Sequence, residues 1–201
     1  MGTVSGDGTK ITRASGRGAT AFGVGTSSTG TGSFAAGGLA VASNEFAVAF
    51  GYGTSATGDR SFVGGDASTS KGASSFAYGK QSHATKNYSF AFGRNSEANA
   101  PYSFAGGSNS VASGSFAFAY GNGAKAEGEG SVAIGAKNNS GAKWPQATKK
   151  GAVALGTGTT ASGDASFAAG AVTTASGTYS VAFGYSTTAS GNQSAAFGST
   201  T

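Results

Sequence analysis

Glycine returns every fourteen residues through most of this chain. Gly23, Gly37, Gly51, Gly65, Gly79, Gly93, Gly107, Gly121 and Gly135 each close a phrase of the form small–large–Ala–large–Gly, as in Ser89-Phe90-Ala91-Phe92-Gly93. One step of 21 leads to Gly156, and steps of 14 resume at Gly170, Gly184 and Gly198. Thirteen phased copies define a repeat architecture, in which each unit buries against its neighbours what it cannot bury alone.

A second half-phrase lies between the glycines. Five residues after most closing glycines comes Ala or Ser, as at Ala56, Ser70, Ala84, Ala98, Ala112, Ala126, Ala161 and Ala175, often with Gly two residues later. Each unit is therefore two segments of about seven residues, each ending in a turn. Helices are marginal below about 12 residues, so these segments are too short for helix but suit a strand and a turn. Alternation puts Phe90 and Phe92 on one face of the strand and Ala91 on the other. The large positions hold strand-favouring Phe, Val, Tyr and Ile. Glycine occupies 37 of 201 positions, which would suit a flexible tract, but 14 Phe and 7 Tyr at regular spacing argue against disorder. The expected fold is all-β: a parallel β-solenoid of about thirteen 14-residue coils. At about 4.8 Å per coil these stack to roughly 60 Å.

Which face is inside is the open point. The large columns are expected inside, packing on small residues such as Ala56 and Ala98, because a solenoid needs apolar filler. The alternative turns the aromatics outward, to an oligomer contact. On the first reading the small column Ala77, Ala91, Ala105, Ala119, Ala133, Ala154, Ala168 and Ala182, broken only by Val63, becomes the candidate interface between copies. Either way an apolar face stays uncovered and the chain is expected to be an oligomer.

The long step from Gly135 to Gly156 adds seven residues, half a coil, and is expected to be absorbed by a loop near residues 138–150. That stretch holds the sole tryptophan, Trp144, beside Pro145, with Lys143, Lys149 and Lys150 nearby. An exposed Trp among cations is a candidate partner-binding patch, with Lys143, Trp144, Lys149 and Lys150 as its residues. The alternative is that Trp144 packs on a neighbouring subunit.

Little else suggests chemistry. His83 is the single histidine, expected at the surface, and there is no cysteine. The carboxylates show no paired spacing for acid–base work. No catalytic residue, cofactor or metal is expected. Basic residues are scattered apart from Lys149-Lys150, so no nucleic-acid partner is expected. No apolar run approaches 18 residues, so no membrane insertion is expected from this segment. Thr160, Thr174 and Thr188 align as in an ice-binding solenoid, but the same column holds Val41, His83, Glu97 and Lys125.

The phrases at 131–135 ("SVAIG"), 152–163 ("AVALGTGTTASG") and 180–191 ("SVAFGYSTTASG") resemble the repeat of trimeric autotransporter adhesin heads, the YadA-like heads. The resemblance covers about residues 14–198, and residues 1–201 read as a single head domain. It implies a left-handed parallel β-roll, assembled as a parallel homotrimer at a fibre tip on a Gram-negative outer membrane. It further implies attachment to a host matrix protein or a cell-surface receptor glycoprotein. This sequence departs from the family by using Phe and Tyr where Val and Ile are usual. It shows no neck motif, heptad stalk, membrane anchor or signal segment, so the chain is expected to be the head part of a longer protein. A phage or other trimeric fibre tip using the same repeat is the alternative.

Overall fold

A computed structural model describes residues 11–137 and 143–201. Every coil contributes one five-residue strand, such as Phe76–Lys80, and one two-residue strand, such as His83–Ala84; only the coil before the insertion has a shorter long strand, Val132–Gly135. The described residues contain no helix. The chain divides into two compact units, Met1–Asn95 and Ser96–Thr201. In the first, long strands from Thr20–Val24 to Phe90–Arg94 form one ladder, and short strands from Arg13–Ala14 to His83–Ala84 form a second. In the second, the long ladder runs from Phe104–Ser108 to Ala195–Ser199 and the short one from Glu97–Ala98 to Thr188–Ala189. Among the described residues the strand pairings are parallel, and outside the insertion each residue faces the one fourteen later: Phe76 opposite Phe90, Ala77 opposite Ala91. The described residues form a parallel β-solenoid of thirteen coils, six in the first unit and seven in the second.

Left-handed backbone makes the turns. Gly79, at φ 136°, could not be another residue, because an added Cβ would stand 1.9 Å from the carbonyl oxygen of Gly93. Two further turn positions per coil mostly adopt φ near 50–60° without being glycine, for example Ser74, Gln81 and Tyr88. Their backbone N–H groups donate to the preceding coil: Ser74 to the Asp59 carbonyl and Gln81 to the Asp66 carbonyl at 2.8 Å, Tyr88 to the Ala73 carbonyl at 3.0 Å. The ladders thus continue through the turns, which satisfies backbone donors that strand pairing alone would leave open.

The interior holds only small side chains. Ala77, Ala91, Ala105, Ala119, Ala133, Ala154, Ala168 and Ala182 are all 0% exposed within the single chain. Facing them are Ala56, Ala84, Ala98 and their equivalents, with buried Ser and Thr at the turns. The space is narrow: Ser70 of the short ladder donates to Ser75 Oγ at 2.6 Å, and Ser75 donates to the Gly72 carbonyl at 2.6 Å. Val63 is the largest fully buried side chain among the described residues. Two expectations are therefore reversed. The aromatic columns point outward, because no ring fits between ladders this close. The alanine column fills the coil and does not meet a second copy.

The insertion leaves the register intact. Gln146 pairs with Lys125 on one side and Thr160 on the other, and Val132 pairs with Val153. The seven added residues therefore lie between Gly135 and Gln146. The expected loop over 138–150 is too long at its far end: Gln146–Ala147 is a ladder strand, and Lys149 and Lys150 occupy an ordinary turn. Residues 138–142, the rest of that expectation, lie outside the described residues.

Candidate functional site

Two surface features stand out. The first is the outer face of the long ladders. Its inner column stacks ring on ring, with centroids 5.0 Å apart for Phe62 and Phe76, 4.5 Å for Phe76 and Phe90, and 4.7 Å for Phe104 and Phe118. The ring planes lie within 9° of parallel, the offset-stacked arrangement that adds to area burial. The neighbouring column is more open: Phe50 is 57% exposed and Phe92 44%. Where this column holds Gly, the next coil's ring leans into the space, Tyr78 over Gly64 and Tyr120 over Gly106. A third set of exposed rings sits on a turn: Phe46 and Tyr88 in the first unit, Tyr102, Phe116 and Tyr179 in the second. All five are in left-handed backbone, and Tyr102 stacks on Phe116 at 4.9 Å. Sequence reasoning missed this third set. Its signal was the fourteen-residue spacing of Tyr88, Tyr102 and Phe116, each directly before the phrase.

The second feature is a notch at the turn that follows the long strand. Asn109, Gly123 and Trp144 occupy equivalent turn positions of successive coils and, with Lys125, line a cavity of about 270 Å³. Gly123 lets the Trp144 indole approach because it carries no side chain. The edge of the indole fills part of the place a side chain would take, so a Cβ on Gly123 would stand 1.9 Å from Trp144 Cδ1. Two ammonium groups approach the same indole: Lys125 Nζ is 5.9 Å and Lys137 Nζ 5.5 Å from the ring centroid, within cation–π range. Trp144 is half-buried, Pro145 buried and Lys143 exposed.

The lysines expected beside the Trp are only partly the right ones. Lys143 adjoins it in the chain, whereas Lys149 and Lys150 belong to the following turn. There Lys150 pairs with Glu129 at 3.4 Å. The structure instead gathers Lys125 and Lys137, which the sequence reading did not associate with Trp144. His83 is half-buried in its short strand, its Nδ1 2.8 Å from Thr69 Oγ1. Thr160, Thr174 and Thr188 do align in one ladder, but its preceding members are Gln146 and Lys125. Among the described residues no group of three or more His, Cys, Asp or Glu is placed to hold a metal ion.

A two-ladder parallel solenoid with fourteen residues per coil, packed with alanine inside and stacked aromatics outside, is a repeat module whose surfaces, not its interior, carry its role. The chain belongs to the YadA head family: the YadA head domain repeat (2 copies) matches residues 14–40, 42–68, 70–96, 84–110, 112–138, 147–172 and 175–201. Heads of this family are surface-exposed parts of autotransporter adhesins and form trimers. No curated protein sequence matches the chain.

Proposed function

We propose that this chain is the head of a trimeric bacterial surface adhesin, exposed from the outer membrane, which attaches to a host matrix protein or receptor glycoprotein without catalysing a reaction. Its coil is left-handed, as the family resemblance implies, and three chains run parallel around one axis. The observation that carries this reading is the uncovered aromatic face. Columns of Phe and Tyr left in water are unusual for a soluble monomer, and contiguous apolar patches of more than a few hundred Å² mark interaction surfaces. The inward alanines leave this face as the contact between copies. The short ladder then points away from the axis, with its variable Ser, Thr, His, Glu and Lys positions presented to a partner. Three copies of any weak site on that surface would act together on a repetitive ligand.

Light scattering tests the assembly: the expected mass is three times 19.2 kDa. The double substitution Phe76→Glu and Phe90→Glu, which puts charge into two adjacent stacked rings, is expected to give monomers. Binding to immobilised matrix proteins and epithelial glycoproteins tests the activity, with wild type binding and the monomeric variant losing avidity. A wild-type monomer, or a trimer that binds none of these partners, would contradict the proposal.

A further inference from the structure

The notch at Gly123 serves neither the aromatic face nor the coil repeat. We infer that it is a binding site for one ring of an acidic saccharide, a pyranose bearing a carboxylate or sulfate. The inference deepens the adhesin reading by naming the chemistry of the partner.

Size, charge and backbone accounting converge on that ligand. A cavity of about 270 Å³ lies just under the roughly 300–1,000 Å³ of drug-sized sites, so it accepts one ring and not an extended ligand. One wall is the half-buried Trp144 indole, an apolar surface against which the C–H groups of a sugar ring can pack. Lys125 in the cavity lining, and Lys137 beside the same indole, supply charge for an acidic substituent. The local balance is positive: all five lysines of residues 96–201 fall between 125 and 150, against Glu127 and Glu129 in that stretch. Glu129 is already engaged by Lys150. An acidic peptide is the rival, and the backbone denies it one mode of binding, pairing as an added strand. The Gly123 N–H donates to the Ser108 carbonyl at 2.8 Å and the Lys125 N–H to the Pro145 carbonyl at 2.9 Å, so no sheet edge is open here for an added strand. The site lies on the turn between the long and the short strand of the coil. Lys125 points outward from the short ladder while its neighbour Ala126 is buried inside, so the notch stays open in the proposed trimer.

Trp144 is the sole tryptophan, so its fluorescence reports on this site alone. The full chain is titrated with a heparin-derived tetrasaccharide, a hyaluronate tetrasaccharide, neutral cellotetraose and polyglutamate. A saturable emission change with at least one of the two acidic saccharides, and with neither of the other ligands, is the expected result. Lys125→Ala and Lys137→Ala are each expected to weaken that response about five-fold. Lys149→Ala, remote from the ring, is expected to leave it within about two-fold. Circular dichroism confirms that each variant is folded. No saturable response to either acidic saccharide, an equal response to polyglutamate, or equal losses from Lys149→Ala and Lys125→Ala would each overturn the inference. Light scattering on the same samples separates the two readings. A trimer indifferent to both acidic saccharides sinks only this site, whereas a monomer that binds them sinks only the trimer.

Discussion

Ala91 has no exposed surface, and its paired neighbour Ala77 has none either. With so little room between the ladders, the column tolerates Val63 and nothing larger among the described residues. Ala91→Leu is therefore expected to cost about 3 kcal/mol or more by overpacking. Val63→Ala, which removes two methyl groups, should cost about 1–2.5 kcal/mol. Thermal or denaturant melts of both variants check the order. A different substitution should act in the opposite direction. Ala67 and Ala165 are exposed and sit at φ 50° and 48°, where a Cβ is strained. Ala67→Gly and Ala165→Gly are each expected to raise stability by about 0.5–1 kcal/mol, the reverse of the usual effect of glycine, and a higher melting temperature would show it. The columns themselves were legible from spacing, but their direction was not. Ala and Phe are both apolar, so the alternation is one of size rather than polarity. Size tells inside from outside only once the width of the interior is known, and that width is set by contacts such as Ser70 to Ser75.

At the scale of the coil, a serine side chain closes the turn that leads into several of the long strands. Ser61 donates to the Gly58 carbonyl and Ser166 to the Gly163 carbonyl, both at 2.7 Å and buried. Ser166→Ala is expected to cost about 1 kcal/mol in a denaturant melt. It should not cost more, because Ala47, Ala117 and Ala152 already hold the same place in other coils. The two-strand coil, its period and the retained phase after the insertion were readable from the glycine spacing. The limits of the inserted loop were not. Gln146-Ala147 is an ordinary half-phrase, but Lys149 replaces the glycine that usually follows two residues later and so hides it. For the same reason the spacing along the chain associates Trp144 with Lys149 and Lys150. Its true neighbours, Lys125 and Gly123, come from the preceding coil, and the added residues obscure that adjacency along the chain.

For the molecule as a whole, the expectation of a partner does not depend on which face is inner, because either assignment leaves an apolar surface in water. If three chains share the aromatic face, folding and association are linked, and stability depends on concentration. A ten-fold dilution is expected to lower the melting temperature measurably for the wild type. The Phe76→Glu, Phe90→Glu variant should melt lower and show no such dependence. Calorimetry at two concentrations distinguishes these outcomes.

Each phrase offers its neighbours the same two rows of peptide groups and the same methyl-lined interior. A whole phrase removed or duplicated within a unit would therefore leave no seam to repair. The number of coils can then change without altering the fold, while the residues that differ from coil to coil are mostly the outward-facing ones.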